Sequence, residues 1–440
     1  MKTLLTIALG AIVAVQPLRA QEEWSLIRCV DYAVEHNIGV KQYENQLKTQ
    51  EIQLSTAKNQ RLPDLNASAG QNFSFGRGLT MDNTYANKST SSTSFSLGTS
   101  IPLFTGFRIP NQVKISQLNL QAATADLEKA KNDIRVQVAQ AYVQILYNME
   151  ISDVAQRQIA IDSAQVARLH ALLTVGKASE AQLSQQKATL AQSKLTATQA
   201  DNNTKIALLT LSQILELPSP EGFAIVRPSA SSVVVATALA SPDVIYQEAV
   251  TVRPEIEAEN LRLHMAEKNI SLSQADLYPT LSLSAGLGSN YYKTSGVNAD
   301  PFSSQLKNNF NQYIGLNLNI PIFSRFQTRN NIRSARISYQ NQQLSLDNTK
   351  KQLYKEIQQA YYNTVAAQQK LKSSEQACQS SQDAFQLMTA TYEQGKATIT
   401  EFNESKNNYL KAESDLTQAR YEYLYQTALI QFYRGQRLQF

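Results

Sequence analysis

Ile101-Pro102-Leu103-Phe104 and Ile320-Pro321-Ile322-Phe323 decide how this chain is read. The second tetrapeptide repeats the first 219 residues later. Two further pairs keep that spacing: Gln140-Ala141-Tyr142 with Gln359-Ala360-Tyr361, and Gly176-Lys177-Ala178 with Gly395-Lys396-Ala397. Upstream, Leu62-Pro63 and Ala69-Gly70 match Tyr278-Pro279 and Ala285-Gly286 at an offset of 216, so a three-residue difference falls in the loop between. Spacing held over such a length marks an internal duplication. The chain divides into a leader over 1–20, a first repeat over 21–217, a linker over 218–241 and a second repeat over 242–440. The linker carries Pro218, Pro220 and Pro228 and a stretch rich in Ala, Ser and Val.

Within each repeat the expected order is helix, strand, loop, strand, very long helix, long helix. From Asn111 to Val175 there is no proline or glycine, and Ala, Gln, Leu and Lys, all good helix formers, dominate. The copy runs from Asn330 to Gln394. Sixty-five residues in one helix make a rod of about 98 Å, a length that calls for coiled-coil packing. Leu120, Leu127, Ile134 and Ala141 lie seven apart, as do Tyr339, Leu346, Leu353 and Ala360. On the returning helix Phe402, Tyr409, Leu416, Tyr423 and Ile430 form a seam whose copy is Leu183, Leu190, Ala197, Thr204 and Leu211. A row of small or polar residues runs beside it: Ser405, Ala412 and Ala419, matched by Gln186, Ser193 and Ala200. A seven-residue repeat keeps one stripe against a neighbouring helix. Gly176 and Gly395 stand where each rod must reverse, because glycine accepts the left-handed conformation that ends a helix.

The strands alternate with period two. Leu65, Ala67, Ala69, Phe73 and Phe75 oppose Asn66, Ser68, Gly70, Asn72 and Ser74; Phe95, Leu97, Ile101 and Leu103 oppose Ser94, Ser96, Gly98 and Ser100. Leu281, Leu283, Ala285, Leu287 and Tyr291 oppose Ser282, Ser284, Gly286 and Asn290; Ile314 to Ile322 alternates against Gly315, Asn317 and Asn319. Each strand is about ten residues, enough for a tilted strand to cross a bilayer. Polar loops are expected over Gly76 to Thr93 and Tyr292 to Gln312. A soluble sheet packed on the helices is the plainer alternative, but rods of this length offer it no compact body to cover. Four strands are too few to close a barrel alone, so several chains must pool them. Three chains make twelve; two would make eight, too narrow for a water-filled pore.

Composition narrows the function. Lys2, the apolar run from Leu4 to Val15 and Leu18-Arg19-Ala20 read as a secretory signal, cleaved after Ala20. Without Lys2 and Arg19, 39 basic residues face 36 acidic ones, and no polybasic block points to nucleic acid. Cys29 and Cys378 are expected to be free thiols, set far apart along the rods. His36, His170 and His264 are scattered, with no carboxylate or cysteine at ligand spacing, so neither a metal site nor any cofactor is expected. There is no phosphate loop or nucleophile elbow, so an enzyme is not expected.

An exported chain in two repeated halves, Ile-Pro-Leu-Phe closing a strand before a long helix, and a glycine-centred tip followed by Glu401, Asn403, Glu404 and Ser405 resemble the TolC family of outer-membrane efflux proteins. The resemblance covers essentially the whole chain after the leader. It implies a mixed α and β membrane fold: a homotrimer whose twelve-stranded β-barrel in the outer membrane continues into an α-helical coiled-coil barrel in the periplasm of a Gram-negative bacterium. It implies an exit duct for multidrug export or type I secretion, served by an inner-membrane transporter and a periplasmic adaptor (a membrane fusion protein). The adaptor is expected to dock at the two reversals, Val175, Gly176, Lys177 and Ala178, and Gln394, Gly395, Lys396 and Ala397. The family's acidic entrance ring falls on Glu401 and Glu404. Its closing acid–arginine contact falls on Gln182 and Ala397, so closure would rest on hydrogen bonds or packing. The alternative is a periplasmic coiled-coil adaptor or structural protein of an export system, which lacks this duplication and these amphipathic strands.

Overall fold

A computed structural model describes residues 23–79, 83–227 and 239–438. The leader over 1–20 and the middle of the linker lie outside them. In chain order the elements are β1 (Glu23–Trp24), α1 (Leu26–His36), α2 (Ile38–Asn59), β2 (Asn66–Leu79), β3 (Tyr85–Thr105), α3 (Arg108–Thr174), α4 (Glu180–Ile214) and β4 (Ala224–Ile225). They continue with α5 (Pro242–Val252), α6 (Pro254–Gln274), β5 (Thr280–Thr294), α7 (Phe302–Asn308), β6 (Asn311–Asn319), α8 (Gln327–Glu393) and α9 (Ile399–Tyr433). The long helices α3 and α8 both have 67 residues, and α4 and α9 both have 35. Every one of their boundaries recurs at the 219-residue spacing. α3 begins three residues before the expected Asn111, and takes in Pro110, whose missing N–H costs nothing in a first turn.

Two compact units emerge, each discontinuous in sequence and each drawing on both repeats: Gln42–Lys129 with Val250–Leu353, and Met1–Lys41 with Ala130–Ala249 and Tyr354–Phe440. The first holds a four-stranded antiparallel sheet ordered β2-β3-β5-β6. Ala67, Leu97, Leu287 and Gln312 stand in one cross-strand row, and Ala69, Phe95 and Ser289 in another. Facing residues therefore sort into an apolar side and a small, polar side, as the alternation requires. The outer edges, on β2 and β6, have no strand beside them among the described residues.

Three strand expectations are corrected. The polar stretch over 76–93 is mostly strand: β2 and β3 stay paired from Asn66↔Gly98 to Leu79↔Tyr85. Ser and Thr run along both faces there, so period two had no contrast to reveal, while Gln71 Nε2 donates to Ser91 Oγ at 2.8 Å across the strands. The loop over 292–312 contains α7. Finally, β6 ends at Asn319, so Ile320-Pro321-Ile322 is not strand, whereas Pro102 lies inside β3 next to a register shift. Proline has no N–H for a ladder and is accommodated at such irregularities.

The junction from β3 to α3 is a tight left-handed turn. Gly106 (φ +60°) and Phe107 (φ +68°) both have positive φ, and so do Arg325 (φ +51°) and Phe326 (φ +63°), their repeat counterparts. At Gly106 a Cβ would stand 2.5 Å from the Ala275 carbonyl oxygen and 2.9 Å from Tyr278 Cβ. Arg108 pairs with Asp276 across the same corner.

In the second unit, the heptad seams are where burial occurs. Leu183, Ala197 and Leu211 on α4 and Phe402, Tyr423 and Ile430 on α9 are buried. One cluster joins Leu26, Cys29 and Ala33 of α1 to Val138, Tyr142 and Ile145 of α3, with Leu211 and Leu215. The two-residue strands β1 and β4 pair in parallel above it, and Tyr142 Oη donates to the Val226 carbonyl at 2.7 Å. Cys29 and Cys378 are both free. Burial pushes the Cys29 thiol up to about 12, so little thiolate exists near neutral pH.

Replacing Gly106 with Ala adds a left-handed penalty of about 1–2 kcal/mol and a backbone clash, whereas Gly176→Ala adds the penalty alone, since nothing lies within 4 Å there. Thermal unfolding in detergent should therefore show a larger drop for Gly106→Ala. In the folded protein, a maleimide at pH 8 should label Cys378 and leave Cys29 unmodified until denaturant is added.

Candidate entrance and helix reversals

Each reversal is built by two local devices in series. The Gly176 N–H donates to the Leu173 carbonyl at 3.0 Å and the Lys177 N–H to that of Leu172 at 2.8 Å; Gly395 and Lys396 repeat this on Tyr392 and Thr391, both at 3.0 Å. These are Schellman closures, with both glycines at φ +72°. The next helix then starts from a capping box: Ser179 with Gln182 on α4, and Thr398 with Glu401 on α9. Val175, Gly176 and Lys177 are exposed, as are Gln394, Gly395 and Lys396, while Ala178 and Ala397 are half-buried.

Glu401 and Gln182 thus occupy one position of the duplicated chain and make the same bond. A Glu401 carboxylate oxygen accepts from the Thr398 N–H at 2.7 Å and from its hydroxyl at 2.8 Å. Those bonds hold the Glu401 carboxyl below its usual range. The capping contribution is complete above the ordinary carboxylate pKa and disappears as pH falls through the lowered one. Glu404 is exposed, one turn along the same helix. Among the described residues no group pairs with its carboxylate.

A contact that pattern reading missed lies deeper in the same unit. Asp162 of α3 and Lys406 of α9 form an ion pair in which neither side chain has any exposed surface. Ser193 Oγ of α4 donates to Asp162 Oδ2 at 2.5 Å and Gln186 Nε2 to Oδ1 at 3.2 Å; Asn403 Nδ2 donates to Gln186 Oε1 at 3.2 Å. Three helices from both repeats are therefore tied to one buried carboxylate. The repeat counterparts do not reproduce it: Ser381 stands for Asp162, Ala412 for Ser193, Ser184 for Asn403, and Lys187, the counterpart of Lys406, is exposed. Nearer the tip, Gln165 of α3 donates to Tyr392 Oη. The Arg168 guanidinium lies 4.9 Å from that ring's centre and donates to the Glu393 carbonyl at 3.3 Å. Burial raises the Tyr392 phenol, and its ring stacks on Phe402 at 5.0 Å.

The family model for outer membrane efflux proteins matches residues 30–216 and 245–435, most of the chain in two successive copies. The chain belongs to the outer membrane efflux protein family. Outer membrane efflux protein BepC of Brucella suis biovar 1 (strain 1330) is 24% identical over 249 residues, 56% of this chain and 50% of BepC. Protein CyaE of Bordetella pertussis is 23% identical over 345 residues, 76% of this chain and 68% of CyaE. The match thus spans half the length of the first relative. In fold, the chain is similar to the CmeC outer membrane channel of Campylobacter jejuni (TM-score 0.79, 18% identity, 93% of this chain and 85% of that one). It is likewise similar to the outer membrane protein VceC of Vibrio cholerae (TM-score 0.74, 18% identity, 94% and 97%). The chain is an outer-membrane protein, and its family consists of passive channels, not enzymes. Family members form trimeric channels that work with adaptor proteins and inner-membrane transporters. No helix among the described residues is long and apolar enough to cross a membrane.

Asp162→Asn should leave the Lys406 ammonium buried without a counter-charge, at a cost of about 3–5 kcal/mol. Asp162→Leu combined with Lys406→Met should recover most of that loss, because no buried charge remains. Heat-dependent gel migration and thermal melts compare the three proteins; a double variant as unstable as Asp162→Asn would count against the account.

Proposed function

We propose that three copies of this chain assemble into one outer-membrane exit duct. The observation that carries the reading is the sheet: an exposed apolar face on four strands whose two outer edges, among the described residues, present unpaired backbone. Each unpaired group in hydrocarbon costs several kcal/mol, so such a sheet enters lipid only if its edges are closed by other copies. Three copies pool twelve strands, a barrel wide enough for water, where two would pool eight. The small, polar face of Ser, Gly and Asn then lines the passage. The paired long helices continue it as a coiled-coil tunnel through the periplasm.

On this reading the repeats over 21–217 and 242–440 are two quasi-equivalent parts of the tunnel wall, joined by 218–241 after a signal over 1–20 is removed. A periplasmic adaptor docks its hairpins against 175–178 and 394–397, where exposed tips stand beside rigid capped turns. An inner-membrane transporter supplies the substrate. Glu401 and Glu404 line the periplasmic mouth, and threefold symmetry gathers six carboxylates at one level. Like charges crowded there attract cations and hold multivalent blockers. Glu404 is the freer of the two, since Glu401 also caps its own helix.

The assembly is tested by the mass of the detergent-solubilised protein, expected near three times the chain, with migration on gels that changes on heating. A monodisperse soluble monomer in detergent-free buffer would end the proposal. Replacing Glu401 and Glu404 with Gln keeps the capping box, which accepts either residue, so assembly should be intact. In single-channel recordings cation selectivity and multivalent-cation blockade should weaken, Glu404→Gln accounting for the larger part. Parent-like selectivity and blockade in the double variant would place the constriction elsewhere.

A further inference from the structure

The four strands carry only three charged side chains, Arg77, Lys88 and Lys293, and all are cations at one end of the sheet. The register sorts them by face. Phe73, Ser91 and Lys293 form one cross-strand row, so Lys293 projects from the apolar face; Arg77, four residues beyond Phe73, projects from it too. Lys88 pairs with Gly76 and stands on the polar face, its ammonium donating to the Leu79 carbonyl at 3.4 Å.

α7 adds a third cation to the apolar side. Phe302 meets Tyr291 and Phe95, both apolar-face residues, at 5.1 and 6.5 Å between ring centres. Ser289 Oγ donates to the Leu306 carbonyl at 2.6 Å and Asn309 Nδ2 to that of Asn290 at 2.7 Å. α7 is therefore fixed to the sheet, and it presents Lys307 exposed. Among the described residues none of Arg77, Lys293 and Lys307 has an ion-pair partner. Among the described residues the acid beyond this end of the strands is Asp300. The opposite end differs: Asp276 pairs with Arg108, and Asp64 accepts from the Ser100 N–H at 2.6 Å.

Height decides what such cations meet. On β5 the apolar face runs from Leu281 to Tyr291, ten residue steps or about 33 Å along the strand. At a barrel tilt of about 40° this is about 25 Å along the membrane normal, the height of the outward apolar band of outer-membrane barrels. Lys293 is the next β5 residue on that face, at headgroup level, one row beyond Tyr291 and in the same row as Phe73, with Phe75 in the row after it.

Building on the membrane-barrel reading, we infer that Arg77, Lys293 and Lys307 form a docking rim for the anionic phosphate groups of outer-leaflet lipid. A fixed cation beside an aromatic belt gives a phosphate a charge partner while the acyl chains cover the apolar face. The polar-face Lys88 takes no part.

The test uses the full chain and phosphatidylcholine vesicles containing either diphosphoryl lipid A or its dephosphorylated form. Flotation measures insertion, and native mass spectrometry after detergent release measures lipid retained per chain. The parent should retain the phosphorylated lipid at least about tenfold more than the dephosphorylated one. Arg77→Gln/Lys293→Gln/Lys307→Gln should lose that preference, and Lys88→Gln should keep it. If the triple variant fails to insert, Lys307→Gln, outside the strands, should reduce the preference severalfold. Flotation with equal retention of both lipids overturns the rim and leaves the barrel standing; no flotation with any vesicle overturns the barrel reading itself. Equal retention by parent and triple variant overturns the residue assignment. Inorganic phosphate that displaces the retained lipid at submillimolar concentration would overturn the lipid as the occupant.

Discussion

The helical unit depends on burying a narrow stripe along helices that have no globular core to lie against. A 67-residue helix gains little from propensity alone and must be held by packing. Heptad spacing supplies this at Leu183, Ala197, Leu211, Phe402, Tyr423 and Ile430, with small residues such as Ala200 and Ala419 letting backbones approach. Glycine ends each rod and a capping box starts the next, so direction reverses within a few residues without leaving backbone donors unmatched. The aromatic group of Phe385, Tyr392, Phe402 and Tyr409 then fills the space beside the second reversal.

The sheet answers a different constraint. Its strands must satisfy backbone groups first, and their side chains sort by what each face meets. Glycine and serine dominate one side, where Tyr313 lies flat over Gly286 so closely that a Cβ there would stand 2.6 Å from its ring. The other side is mostly apolar, and its charges, Lys293 and Arg77, stand in the rows towards one end. The turn at Gly106 and Phe107, reproduced at Arg325 and Phe326, hands each strand region to its long helix through the same left-handed geometry.

The long helices and their reversals were legible because their signals are redundant: absence of Pro and Gly, heptads, and a second copy to check against. The strand ends were not, because Ser and Thr over 86–93 look alike on both faces and α7 is too short to show a period. The tips were placed correctly by Gly176 and Gly395, yet the capping role shared by Gln182 and Glu401 emerges only when the repeats are superposed as structures. Asp162 and Lys406 are 244 residues apart and belong to no motif. A clue was present in the seam, where Gln186 and Ser193 interrupt a row of small residues; polar side chains at buried positions demand a partner.

A chain made of two near-copies has to keep its halves from trading places. The four long helices repeat in length and spacing, so hydrophobic matching alone would let either hairpin settle where the other belongs. Seating α8 and α9 in the wrong slot would take Lys406 away from Asp162 and leave that buried carboxylate with only the neutral Ser193 and Gln186 of its own hairpin. The buried ion pair, present at one seam and missing from its counterpart, acts as an address label: it contributes little net energy where it is correct and a large penalty everywhere else.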